Sequence, residues 1–196
     1  PASVAQGWKN QFIATGTDFV LADTLLSYLV EEKGFEKIAV LNVNTEGGMS
    51  AAARIEETLK NVYGLDLVGH ETHAAEDTDF TAQVLKFKEA GAEAVVFWGG
   101  TQSPANIFMK QIEQLWGKVP EEIFFAGGSN MAQATMLENW ALEDLENVTF
   151  PTGFYADMSN PQIARFVNDF QAIDKEGQAP SDVPARVYDA VYFIAN

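Results

Sequence analysis

The chain contains no cysteine, which removes disulfides, thiol nucleophiles and cysteine-ligated metals together. Basic residues are scarce as well. Twelve Lys and Arg against 28 Asp and Glu give a formal net charge of −16. Nucleic acids are recognised through a positive footprint, so DNA and RNA are not expected partners, and an anionic membrane surface would repel the chain. The acidity reads as solubility and solvated helix faces. Apolar runs stay far below the ~18–20 residues that a membrane span needs. No basic segment followed by an apolar one opens the sequence, so any secretion signal is expected to lie outside these residues. The nucleotide signatures GxGxxG and GxxxxGKS/T do not occur, nor does GxSxG. No cofactor is expected.

What is present is a core. Of 196 residues 47% are hydrophobic, with 14 Phe and 4 Trp, enough for a substantial packed α/β domain. Its most informative stretch is Ala94-Val95-Val96-Phe97-Trp98 followed by Gly99-Gly100-Thr101-Gln102-Ser103-Pro104. Five apolar residues, two β-branched and two aromatic, are too few for an independent helix and read as a parallel strand buried on both faces. The strand stops at a glycine pair. Ser103 and Pro104 then offer an N-cap and a first-turn proline for a helix. The design recurs twice: Ile38–Leu41 leads to Gly47-Gly48, and Ile123–Ala126 leads to Gly127-Gly128. In an open α/β sheet all three glycine pairs would lie on the carboxyl edge, where such folds bind ligands.

Between these strands, apolar residues at helical spacing predict helices over residues 17–33, 49–63, 80–90, 104–116 and 131–140, one that starts at Asn160-Pro161 with Ile163, Phe166, Val167 and Phe170 inward, and one from Pro184 onward. Further strands are expected at Leu65–Glu71 and, interrupted by Pro151 and so at an edge, at Val148–Phe154. Phe12-Ile13-Ala14 reads as a short extended entry. Five strands alternating with helices predict a three-layer, doubly wound parallel sheet of order 2-1-3-4-5, as one domain over residues 1–196.

Candidate chemistry is sparse. The turn residues Glu46, Thr101, Gln102, Ser129 and Asn130 suit hydrogen bonding to a small polar ligand, and no lysine or arginine closely follows a glycine pair to neutralise a phosphate. His70 and His73, with Glu71 and Glu76 nearby, read as exposed loop residues rather than metal ligands, because a spacing of three at a strand end aligns two imidazoles poorly. Asp77 and Asp79 read as helix caps. Phe97 and Trp98 are candidates for stacking on a ligand, although at least one should be core. Tyr188 and Asp189 would touch a ligand or brace the last helix.

Taken together, the segments Lys37–Leu41 with its glycine turn, Thr78-Asp79-Phe80-Thr81, Glu89–Val95, Pro180-Ser181 and Ala185–Val191 resemble the type I periplasmic binding proteins of the leucine/isoleucine/valine-binding kind. These are the solute-binding components of ABC importers. The resemblance implies one lobe, the carboxyl-terminal one, of a two-lobe extracytoplasmic protein without catalysis. Its partners would be a small solute (a branched-chain amino acid or a related amino acid or amide), a membrane permease and the amino-terminal lobe. Carried over by position, the ligand contacts fall on Thr45, Glu46 and Gly47, on Gly100, Thr101 and Gln102, and on Ser129 and Asn130. Amino-acid binders usually carry an aromatic residue where Gly47 stands and an acid where Ser129 stands; Glu46 lies close enough to replace that acid. The same fold also forms ligand-sensing regions of receptors and of amide-responsive regulators. As a lone lobe, the chain would leave Trp98 or Phe154 unusually exposed along the carboxyl edge.

Overall fold

Strands β1 (Ile38–Val43) and β3 (Ala94–Trp98) are buried at every position, as continuous apolar runs in a covered parallel sheet must be. The computed structural model describes residues 16–117, 124–128, 139–175 and 177–195. Within them the chain forms two compact units, Asp18–Pro151 and a second that takes in the residues from Thr152 onward. The expected entry at Phe12–Ala14 and most of the helix expected at Met131–Trp140 lie outside the described residues.

In the first unit, α1 (Asp18–Ser27) widens into a π-helical turn over Tyr28–Glu32 before β1. Helix α2 (Glu46–Thr58) ends in a similar turn, and β2 (Gly69–His73), α3 (Thr81–Glu89), β3, α4 (Gln102–Leu115), β4 (Phe124–Gly127) and β5 (Val148–Thr149) follow. All four strand pairings are parallel, in the order β2-β1-β3-β4-β5 expected from sequence. Side-chain alternation sends β1 and β3 residues to opposite layers. Ala39, Leu41, Val95 and Phe97 pack with Phe80, Phe87, Phe108 and Ile112 around α3 and α4. Ile38, Val40, Val96 and Trp98 pack with Leu26 of α1, Leu29 of the π-helical turn, and Ala52 and Ile55 of α2. Both Phe97 and Trp98 are therefore core, and Trp98 is not exposed along the carboxyl edge as expected. No helix among the described residues is long and apolar enough to cross a membrane.

Two strands differ from expectation. The second begins at Gly69 rather than Leu65, because Leu65 and Leu67 pack against the α1/α2 layer ahead of the ladder. It also runs on to His73. The fifth keeps only Val148 and Thr149: Phe150 turns into the core, and Pro151 has no N–H to continue the ladder.

An ion-pair staple joins the outer helices. The Arg54 guanidinium of α2 donates to both Asp23 carboxylate oxygens of α1, at 3.0 and 2.7 Å, and the Thr58 hydroxyl donates to the same carboxylate at 2.8 Å. Those bonds, Arg54 foremost, hold the Asp23 carboxyl below its ordinary pKa. Both side chains are about one-third exposed, so solvent screening keeps the contribution small. Asp23→Ala is expected to cost about 1 kcal/mol in urea unfolding at pH 7. A carboxyl whose folded pKa is depressed stabilises above its unfolded pKa, and the effect is lost as pH falls through the folded value. The gap between wild type and variant should therefore close on acidification below the ordinary carboxylate range.

In the second unit α5 (Pro161–Ile173) is capped by Asn160, whose side chain accepts from the Gln162 and Ile163 amides. Phe154 and Tyr188 flank Phe166, at centroid distances of 5.6 and 4.7 Å. Tyr188 belongs to α6 (Asp182–Ala195), where its ring also meets Tyr192 at a tilt, so its contact with Phe166 braces α6 against α5. Apolar surface is exposed here: Val187, Val191, Phe193 and Ile194 of α6, and Ile173 at 81%.

Candidate functional site

In the strand order 2-1-3-4-5 the chain changes direction between β1 and β3. Helix α2 leaves β1 for one face of the sheet, and α4 leaves β3 for the other. The two turns therefore splay apart and leave a crevice at the carboxyl edge between them. Their bases touch. A Cβ built on Gly99 would lie 2.7 Å from Val43 Cγ1 and 3.9 Å from the Gly48 Cα.

The first turn is shorter than expected, because α2 starts at Glu46 and not at Met49. Thr45 is the N-cap, its hydroxyl accepting from the Gly48 amide at 3.2 Å. Glu46 and Gly47 thus sit in the first turn of the helix, exposed, with open space beside Gly47. The turn after β3 is also tighter. Gly99 and Gly100 both take left-handed backbone conformations, φ +84° and +80°, where L side chains are strained. That reversal lets Thr101 serve as the N-cap in place of Ser103, and Pro104 falls within the first helical turn, where an amide proton is not missed. Thr101 is exposed and makes no side-chain capping bond. Gln102 is the first residue of α4. Ser129 and Asn130 lie outside the described residues. The structure thus brings Thr45, Glu46 and Gly47 to the same edge as Gly100, Thr101 and Gln102. Two helix N-termini meet there, and amide donors and the positive ends of helix dipoles favour an anionic or carboxylate group.

The histidines depart most from the reading as exposed loop residues. His70 is exposed, but on β2, with Nε2 2.8 Å from Oδ1 of the fully buried Asn42 in β1. His73, the last residue of β2, is only 2% exposed. Three residues apart on a strand, the two side chains leave opposite faces and cannot grip one ion. Among the described residues no group of three or more His, Cys, Asp or Glu side chains could hold a metal. Asp79 accepts from the Thr81 amide as α3 begins, and the Thr81 side chain first and that amide second lower its pKa, while Asp77 closes the preceding loop on the Ala74 amide. Sequence reasoning missed Asn42 and His73. The available signals were a lone amide inside an apolar strand and the alternation that puts residues 69, 71 and 73 on one side of β2.

A family model described as periplasmic binding protein matches residues 5–196. Curated relatives include a Leu/Ile/Val-binding protein homolog of Brucella melitensis, 28% identical over 71% of this chain and 39% of that protein. Another is the leucine-, isoleucine-, valine-, threonine- and alanine-binding protein of Pseudomonas aeruginosa, 25% identical over 100% of this chain and 50% of that protein. The chain spans about half the length of the curated relatives it matches, or less. Among solved structures, the branched-chain amino acid transporter substrate binding protein LivJ of Streptococcus pneumoniae, in complex with isoleucine, superposes with a TM-score of 0.83 at 23% identity. That match covers 100% of this chain and 54% of that one.

Proposed function

Because the chain belongs to the periplasmic binding protein family, we propose that it is one lobe of an extracytoplasmic solute-binding protein serving an ABC importer. The observation that carries this reading is the crevice between the β1–α2 and β3–α4 turns, where exposed polar groups and two helix N-termini converge without a metal cluster among the described residues. Such an edge offers hydrogen-bonding groups to a small polar solute. The relatives named above are a Leu/Ile/Val-binding protein homolog and a binding protein for leucine, isoleucine, valine, threonine and alanine, which supports a branched-chain amino acid or a related amino acid or amide as the solute. A second lobe closes over the solute by a hinge motion, and a membrane permease recognises the closed form. Thr45, Glu46, Gly47, Gly100, Thr101 and Gln102 are the contacts of this lobe, with Ser129 and Asn130 added from the turn after β4.

Calorimetric titration of the longer protein that carries this chain, with leucine, isoleucine, valine and simple amides, tests the proposal. Binding of at least one of them is expected, and binding of none would sink it. Replacing both Thr101 and Gln102 by alanine should weaken that binding by roughly ten- to a hundredfold, the worth of two neutral hydrogen bonds. The melting temperature of the unliganded form should hardly move, because a substitution at an exposed position such as Thr101 stays within about 0.5 kcal/mol.

A further inference from the structure

His73 occupies the carboxyl end of β2, beside Val43 at the end of β1. Its ring lies against Phe97 and Phe80, at centroid distances of 4.9 and 5.5 Å. Nδ1 is 2.7 Å from the Ala74 carbonyl oxygen. A carbonyl can only accept, so Nδ1 carries the proton, and in the uncharged imidazole Nε2 is then a bare acceptor. Nε2 is buried and has no hydrogen-bond partner. Leaving a buried acceptor unmet costs free energy, so a group in this state calls for an explanation. What covers it is a residue without a side chain. A Cβ built on Gly100 would lie 3.5 Å from His73 Cε1 and 3.9 Å from Nε2, and Gly100 itself is exposed in the crevice turn. An unmet acceptor therefore lies beside the Gly100 turn of the candidate binding edge.

We infer that His73 is a specificity-determining residue of this edge: Nε2 is the acceptor for the ammonium group of an amino-acid solute, reached across the Gly99–Gly100 turn. The inference rests on the amino-acid reading proposed above. An acceptor-only atom calls for a donor on the ligand, and an imidazole wedged between two phenylalanines offers it in a fixed place.

The test uses the longer, two-lobe protein with 15N-labelled histidine, and as probes L-leucine and 4-methylpentanoate, the same carbon skeleton without the amine. The His73 signals are those missing from His73→Gln. On saturation with L-leucine the Nε2 resonance should move from the position of a bare nitrogen toward that of a hydrogen-bonded one, and 4-methylpentanoate should leave it in place. His73→Phe, which fills the space beside Phe80 and Phe97 without an acceptor, should bind L-leucine roughly tenfold more weakly or worse. His73→Gln, which keeps an acceptor, should lose less. An Nε2 signal unmoved by bound L-leucine, or moved equally by both probes, overturns the inference whether or not the phenylalanine variant folds. So does a folded His73→Phe that binds L-leucine like wild type. If the wild type binds no amino acid at all, the functional reading fails and this inference falls with it; L-leucine bound beside an unchanged Nε2 sinks the inference alone.

Discussion

Gly48→Ala is expected to destabilise the sheet unit by about 3 kcal/mol, the upper range for forcing extra atoms into a packed site. A Cβ at Gly48 would collide with the Val43 carbonyl oxygen and stand 2.8 Å from Val43 Cγ1. The oxygen is not free to yield. It accepts from the Thr45 amide at 2.8 Å and from the Asn42 side chain at 3.0 Å, and the latter is part of how a fully buried amide is satisfied. Moving Val43 also disturbs Gly99, whose Cβ position lies 2.7 Å from the same Cγ1. One methyl group would thus strain the end of β1, the start of α2 and the turn after β3 together. Urea unfolding should show the loss, with a melting temperature lower by roughly 10 °C. Gly47→Ala is the control. Nothing lies within 4 Å of its Cβ position and it is helical, so alanine there should be neutral or stabilising by up to about 1 kcal/mol. Equal melting of the two variants would mean that the start of α2 slides away from β1 at little cost.

The same residues explain how much could be read in advance. Strand identity and order were legible because burial on both faces leaves a mark no helix of five residues can leave: Ile38–Leu41 and Ala94–Trp98 are unbroken apolar runs, each followed by glycine. Helix starts were less legible. Capping preference points to Ser103 and apolar spacing to a start at Met49, yet the chain begins each helix earlier, because the paired left-handed glycines and the close approach of Gly48 to Val43 make both turns tighter than the sequence suggests. Such contacts are made in space and leave no periodicity. Trp98 was ambiguous for a related reason. Its type suits either a ligand or a core, and only the register of β3 against α1 and α2 assigns it to the core. His73 was misread because a histidine next to polar residues resembles a loop. Its burial depends on Phe80 and Phe97, which come from other segments. The turn residues Thr45, Glu46, Thr101 and Gln102 follow the carboxyl ends of β1 and β3, and that much is legible, since the position of a strand's end follows from the strand itself.

The 196-residue chain alone is expected to bind L-leucine at least roughly tenfold, and about a hundredfold in the fuller case, more weakly than the two-lobe protein. Every contact proposed for it lies on one wall. Thr45, Glu46 and Gly47 stand on the α2 side of the crevice, Gly100 and Thr101 on the α4 side, and all of them are exposed. A small solute held in a cleft usually buries 70–90% or more of its surface. An edge with one wall leaves the far side of the ligand in water, so the apolar side chain gains little from desolvation and each hydrogen bond competes with solvent. Two neutral hydrogen bonds from a second lobe, at about 1 kcal/mol each, already account for more than tenfold, and burial of the leucine side chain extends the gap. Hinge closure opposes this, since ordering two lobes around a ligand costs free energy that a lone lobe does not spend. The hydrogen bonds and the burial outweigh it only if the second lobe makes contacts of its own. Calorimetry on the lone chain and on the longer protein, in one buffer and at one temperature, reads the difference directly. Equal affinities would mean that this wall is a complete site and that the second lobe adds nothing to recognition.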